Sequence, residues 1–313
     1  MPSIISLASR DCNVPESWVK DVVRQGPSRV KKLRIEKKSA PGKFRYVSRP
    51  SSELEILQRW LVYRFFEKLE IHDSAMAFRQ GRSILKNAQA HTKSQYFIRV
   101  DFSDFFPSIQ YKDLAETLIK SEHHSGIFSE FPDFGDFVKK ICFDENLKLP
   151  VGYVSSPVIS NSVMFDFDVH ICDVISSNHS ILGSCRYTRY ADDIVFSTDK
   201  KGGCKEFLKI LRPIVENWKS PEISINDNKT IFSSKSGGSA IVTGLIICDD
   251  GHITIPRKYK DEIRLLLSLK AKGKLNTDDF SRLTGHLNYV RHVAPAFFST
   301  LCSKHPSIIE DVI

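Results

Sequence analysis

The sequence predicts an α+β fold, and three features carry that prediction. Alternating apolar and polar runs mark β-hairpins in VKKLRIEKK with KFRYVSR and in TRYADDIVFST; the run YFIRV marks a core strand; beyond Pro256 the pattern is helical throughout. With 313 residues, 41% hydrophobic and 26% charged, the chain can bury a sizeable core and falls outside the disordered and fibrous classes.

Taken in order, residues 14 to 26 open on Pro15 and Glu16, place Trp18, Val19, Val22 and Val23 at helical spacing, and stop at Gly26-Pro27, which predicts a short helix. The basic ribbon follows, its two runs joined through Ser39-Ala40-Pro41-Gly42. From Ser51, a capping residue, apolar positions Leu54, Leu57, Trp60, Leu61 and Phe65 predict a long buried helix. The strand YFIRV runs directly into Asp101; a helix at about 111 to 120 and then a loop rich in His, Phe and Pro come next. Residues 157 to 175 read as one helix, Lys205 to Trp218 as another. IVTGLIIC and HITIP read as a hairpin turning at Asp249-Asp250-Gly251, and helices with Ile263, Leu266, Leu267, Leu283, Leu287 and Tyr289 on their apolar faces complete the chain. This divides it into a core over residues 1–245 and a hairpin with helical subdomain over 246–313.

A net charge of +8 and a pI near 9.0 point to a polyanionic partner, since Lys and Arg that neutralise phosphates release counterions. Seven scattered cysteines without a Cys-x-x-Cys pair read as reduced thiols and suggest neither a zinc site nor disulfides. The N-terminal residues lack a basic leader followed by an apolar run, and no stretch approaches the 18 or so apolar residues that span a bilayer. A cytoplasmic protein without a membrane partner is the expectation.

The chemistry concentrates at Tyr190-Ala191-Asp192-Asp193. Adjacent carboxylates at a turn repel and raise each other's pKa unless a cation lies between them. An Asp-Asp pair on its own is better explained by turn formation, since turns favour Asp. Asp101 alters that balance: a carboxylate at the end of a central strand, beside an Asp-Asp hairpin, suits a two-metal site for phosphoryl transfer from a triphosphate. Phe105 and Phe106 behind it also fit ordinary core packing.

From about Lys43 to Leu287 the sequence resembles the reverse transcriptases, and within them the bacterial retron type. Asp101-x-x-Asp104-Phe105-Phe106-Pro107-Ser108-Ile109 resembles motif A, Leu149-Pro150-Val151-Gly152-Tyr153-Val154-Ser155-Ser156-Pro157 motif B, Tyr190-Ala191-Asp192-Asp193 motif C, and Asn226-x-x-Lys229-Thr230 motif D. Asn87-Ala88-Gln89-Ala90-His91 and Val242-Thr243-Gly244 are similar to two short elements of retron enzymes. Four motifs in family order are far more specific than any one alone.

The resemblance implies a right hand of fingers, palm and helical thumb, with a small antiparallel palm sheet bearing the aspartates. It implies two Mg²⁺ ions held by Asp101 and Asp192 with Asp193 assisting, and with the Phe102 carbonyl as a further ligand. Phe106 matches the steric gate that excludes a ribose 2′-OH, Lys43 and Arg45 the clamp on the incoming dNTP, with Gly152 beside them, and Lys229 the proton donor to pyrophosphate. Asn87, His91, Val242, Thr243, Gly244, Arg257, Lys258 and Arg264 are the candidates for RNA recognition; for His91 a structural role at a helix end is an equal reading. Val151 departs from the family, which has Gln there, so polar contacts near nucleotide and template are lost while the metal ligands are kept.

The implied biology is a cognate structured noncoding RNA serving as template and primer, priming from an internal guanosine 2′-OH, a branched RNA–DNA hybrid product, and phage defence through a separate effector protein. The length leaves no room for a ribonuclease H domain, so host ribonuclease H would remove template. The competing readings are another bacterial reverse transcriptase, of group II intron or abortive-infection type, and a catalytically silent RNA-binding scaffold. Primer linkage separates the first, and substitution of the aspartates the second.

Overall fold

The computed structural model describes residues 3–36, 42, 44–238 and 240–313. Helices α1 (Ile4–Cys12) and α2 (Glu16–Gln25) precede the ribbon of β1 (Val30–Glu36) and β2 (Phe44–Pro50), which pair antiparallel from Val30–Pro50 to Glu36–Phe44. The ribbon is mostly exposed, and the Arg34 guanidinium lies 3.5 Å over the Phe44 ring. Ser51 caps α3 (Ser52–Arg64) by accepting from the Leu54 amide, as its place before the apolar run predicts. One face of α3 is core, while Ile56 and Tyr63 on the other are exposed.

Next come α4 (Ile84–Ala90), β3 (Tyr96–Asp101), α5 (Phe105–Ser108), α6 (Tyr111–Lys120), α7 (Ile127–Glu130) and α8 (Phe134–Cys142). The loop expected after residue 120 thus contains a full helix. Phe134, Phe137, Val138 and Ile141 give α8 a buried stripe at helical spacing. The buried Gln58 of α3 donates to the Ile141 carbonyl and accepts from the Val154 amide, tying α8 to the segment around Gly152.

The single helix expected over 157 to 175 is two, α9 (Ser156–Val163) and α10 (Phe165–Ser177). In the last turns of α9, the Ser160 and Ser162 hydroxyls donate to the carbonyls of Pro157 and Val158, and the Asn161 amide reaches across to the Ala77 carbonyl. Such side-chain bonds compete with the helical ladder. The chain continues through α11 (His179–Leu182), β4 (Cys185–Tyr190), β5 (Asp193–Thr198), α12 (Gly203–Asn217), β6 (Ile231–Ser234), β7 (Ile241–Val242), β8 (Leu245–Ile247), β9 (Ile253–Thr254), α13 (Arg257–Ala271), α14 (Thr277–Val293), α15 (Pro295–Lys304) and α16 (Pro306–Val312).

The central sheet has the order β4-β5-β3-β6, antiparallel at every junction. Its inner face, with Ile98, Val100, Tyr187, Ile194 and Phe196, packs into the main core, where Phe196 stacks on Phe207 of α12 at 4.0 Å. Burying each such side chain contributes about 1.5–3 kcal/mol. Phe97 and Val195 on the outer face join a second core shared with α4, the β7-β8-β9 sheet and α13 to α16. IVTGLIIC is therefore not one strand: Thr243 (φ 46°) and Gly244 (φ 82°) turn it into a β7–β8 hairpin, the pattern of a type I′ turn. The boundary expected after residue 245 falls inside β8, and the second core already includes Ala240 and Val242.

The seven cysteines are free, and burial pushes the thiols of Cys142 and Cys204 up to about 12. Among the described residues no helix is long and apolar enough to cross a membrane.

Candidate active site

Side chains alternate along a strand, so Phe97, Arg99 and Asp101 share the outer face of β3, and Asp193 and Val195 share it on β5. Register places Asp101 directly opposite Asp193. On the other side of β5, Tyr190 pairs with Asp193, leaving Ala191 and Asp192 as the two central residues of the turn. Ala191 sits at φ 57°, a conformation that costs an L-residue on the order of 1 kcal/mol. The Phe102 amide donates to the Asp192 carbonyl at 3.0 Å, and the Asn226 amide to the Asp101 carbonyl at 2.8 Å. Three carboxylates are thereby fixed at one end of the sheet.

The turn is held from below. Arg189 and Asp168 of α10 are both fully buried, and Nε and Nη2 of Arg189 donate to the Asp168 carboxylate at 2.6–3.1 Å. Tyr187 Oη donates to Asp168 Oδ1 at 2.7 Å, and Arg189 Nη1 reaches Asn161 Oδ1 and the Ala191 carbonyl at 3.3 Å. A buried pair with its remaining donors satisfied is costly to break, because removal of one partner strands a charge.

Charge at the upper end is not matched in this way. Burial and the charge of Asp101 raise the Asp192 pKa; burial and the charge of Asp192 raise Asp193 to about 6, against a smaller lowering by Arg99. Lys229 Nζ donates to both oxygens of Asp101, at 2.7 and 2.9 Å. Burial opposes the lysine's charge, but the bond and charge of Asp101 outweigh it and raise its pKa. Among the described residues no three His, Cys, Asp or Glu side chains converge as a finished metal-ligand set. The donor chemistry nevertheless fits a hard divalent cation: three carboxylates lie at one strand end, two of them pushed toward protonation by burial and by a neighbouring carboxylate, with the Lys229 ammonium bonded to Asp101 and the Arg99 charge near Asp193 as counter-charges.

The remaining expected residues divide. Phe106 is partly buried, 5.4 Å from the Phe105 ring and 6.4 Å from that of Phe78, while Phe105 is core. Gly152 has φ 107°, and a β-carbon there would lie 2.5 Å from the Ser48 carbonyl oxygen; the Ser48 amide donates to the Val151 carbonyl at 2.7 Å. Glycine is required because the β2 backbone docks on this loop. Arg45 is exposed on β2, and Lys43 lies outside the described residues.

For RNA recognition, Asn87, His91 and Val242 are corrected: all three are buried to 0% exposure. His91 Nδ1 and Nε2 are hydrogen-bonded to Ser197 Oγ and Thr188 Oγ1, both at 2.7 Å, and burial lowers its pKa to about 3. It is a neutral tie between α4 and the central sheet. Thr243 Oγ1 donates to the Ile84 carbonyl at 3.2 Å, so this turn also docks on α4. Gly244, Arg257, Lys258 and Arg264 are exposed.

Sequence reasoning missed Arg189, Asp168 and Arg99. Arg99 was discoverable by parity, two residues before Asp101 on the same strand face. Its Nε is buried without a hydrogen-bond partner among the described residues.

The model of the family described as "Reverse transcriptase (RNA-dependent DNA polymerase)" matches residues 35–266. The retron Ec73 reverse transcriptase of Escherichia coli is 35% identical over 96% of this chain and 95% of its own length. The retron Ec83 reverse transcriptase of the same organism is 29% identical over 84% of this chain and 83% of its own. Among solved structures, a telomerase from Candida albicans in complex with a fragment of telomeric RNA aligns with 95% of this chain and 62% of that one, under two thirds of its length, at TM-score 0.47 and 13% identity.

Proposed function

This chain belongs to the reverse transcriptase family, RNA-directed DNA polymerases, and within it to the retron enzymes, and from that premise we propose that Asp101, Asp192 and Asp193 are its polymerising centre and hold two Mg²⁺ ions. The observation that carries the reading is the register: Asp101 faces Asp193 across two strands, with Asp192 in the adjoining turn. Bound divalent cations supply activation of the primer hydroxyl and neutralisation of charge on the departing pyrophosphate.

The chain's own residues do the rest. Asp101 and Asp192 would hold the ions, with Asp193 and the Phe102 carbonyl assisting. Lys229 releases Asp101 and donates a proton to the leaving pyrophosphate oxygen. Its side chain is 53% exposed, so release strips little packing. Phe106 excludes a ribose 2′-OH by bulk, which selects dNTPs. Arg45, with Lys43 as the expected second cation, clamps the triphosphate with charge-assisted hydrogen bonds, and Gly152 holds the β2 strand that carries Arg45 against the motif B loop.

The template and primer are a structured noncoding RNA specific to this enzyme. Synthesis starts from an internal guanosine 2′-OH and yields a branched RNA–DNA molecule; host ribonuclease H trims the template, and the particle restrains a separate effector in phage defence. Support comes from the retron kinship and the net charge of +8. The test is to co-express the protein with the few hundred bases flanking its gene and to isolate nucleic acid, with Asp193→Asn as control. A small DNA joined 2′–5′ to an RNA remnant, present only with the intact aspartate, is the expected result. DNA with a free or protein-linked 5′ end would overturn the priming step, and no DNA from folded protein would overturn the polymerase assignment.

A further inference from the structure

A cavity of about 720 Å³ lies where α4, the β8–β9 turn and helices α13 to α15 meet. Its lining shares no residue with the carboxylate cluster, and it contains Lys260, Arg264, His252 and His292 but no Asp or Glu. Phe297 of α15 forms an apolar wall. Lys260 and Arg264, one helical turn apart on α13, lie 5.3 and 5.4 Å from its ring centroid. Arg264 is bonded to Asp261 and His252 to Asp250. Lys260 has no carboxylate partner among the described residues, so the chamber carries an uncompensated positive charge beside an aromatic ring.

We propose that this cavity receives one unpaired nucleotide of the RNA partner. Its volume falls within the range of about 300–1,000 Å³ typical of chambers that enclose a single small ligand. A duplex is gripped along its backbone by an open surface; a concave site with an aromatic wall and cationic rim suits a base splayed out of a loop, its phosphate meeting the cations. Lys260 and His292 take the phosphate, and the base lies against Phe297 and the Arg264 guanidinium plane. The position also gives α4 a purpose that its buried Asn87 and His91 lack as direct contacts: Gln89 and Thr92, which bracket His91, line the chamber. His91 then acts as the anchor that fixes this wall to the sheet, and RNA choice is read beside the retron-like element rather than by it.

The proposal rests on the reading that the chain binds a structured RNA, and the experiment separates the two. RNA transcribed from the bases flanking the gene is prepared with 4-thiouridine, bound to the full-length protein and irradiated, and crosslinked peptides are identified by mass spectrometry. Affinity for the same RNA is measured for wild type, Lys260→Gln/His292→Gln, Phe297→Leu and Lys260→Arg, with extension of oligo(dT) on poly(rA) as an independent measure of polymerase function. Crosslinks to lining segments within residues 85–92, 251–264 or 292–300, a tenfold or greater loss of affinity in the first two variants and retention in Lys260→Arg are expected. Affinities within twofold of wild type, with crosslinks only elsewhere, would overturn the cavity assignment even where oligo(dT) is extended normally. If wild type extends no primer, the polymerase reading fails, and the crosslinks still decide the cavity.

Discussion

The two faces of the β4–β5 hairpin hold charge in opposite ways. On the inner face Arg189 and Asp168 are both at 0% exposure, bonded to each other and to Tyr187, Asn161 and a main-chain carbonyl. On the outer face Asp101, Asp192 and Asp193 confront one another, and the cations near them are Lys229, half in solvent and bonded to Asp101, and Arg99, which offsets only part of the rise at Asp193. Matched, sealed charge gives permanence; unmatched charge gives a site that gains by taking up cations. Because Arg189 and Asp193 belong to the same hairpin, the sealed face fixes the position of the reactive one.

The largest expected effect breaks the sealed face. Arg189→Met strands the Asp168 carboxylate and destabilises the protein by about 3–5 kcal/mol, whereas Arg189→Met combined with Asp168→Leu recovers most of that loss. Urea midpoints decide it, and a single variant as stable as wild type would dissolve the contrast. Lys229→Ala comes next: if Lys229 is the proton donor, its removal lowers kcat by about 100-fold, while affinity for the primer–template stays the same. Single-turnover incorporation separates this from a binding defect.

His91 sharpens the comparison at the sheet's outer face. Its folded pKa, about 3, lies below that of the unfolded chain, so unfolding takes up a proton as pH falls. The stability it contributes is complete above about pH 6.5 and declines toward pH 3, a loss of up to about 2 kcal/mol by pH 5. His91→Gln should flatten that slope in urea titrations at pH 7 and pH 5. The smallest effect is that of Gly152→Ala, which lifts the ribbon from the motif B loop and raises the KM for dNTP about tenfold, roughly 1.4 kcal/mol, with kcat held. An unchanged KM would separate the ribbon from nucleotide binding.

How far the sequence could be read depended on whether the signal was local. Asp101 at the end of YFIRV and Asp192-Asp193 between two strand-like runs declared both their positions and their chemistry, because period-2 alternation and turn preference act over a few residues. The type I′ turn at Thr243-Gly244 was also local, but it was obscured by the continuous apolar run around it. The break at Met164 follows Ser160, Asn161 and Ser162, whose side chains bond main-chain carbonyls, and the Asp168–Arg189 pair joins residues on α10 and β4; neither has a sequence period. His91 shows the same limit from the other side. Its motif is short and legible, but only the packing of α4 against Thr188 and Ser197 makes it a buried tie instead of a contact for RNA.

The measurement that bears most directly on the carboxylate cluster as the polymerising centre is the paired assay of Asp193→Asn. The folded pKa of Asp193, about 6, exceeds its unfolded value, so its protonated form favours folding, and stability falls as pH rises from about 4 to 6. At pH 7.5 with divalent ions chelated, the ionised group therefore costs the fold on the order of 1–3 kcal/mol. Asp193→Asn should melt a few degrees higher than wild type under those conditions and, with Mg²⁺ restored, extend no oligo(dT) on poly(rA). A variant that extends primer at the wild-type rate, or that melts lower, would contradict the account.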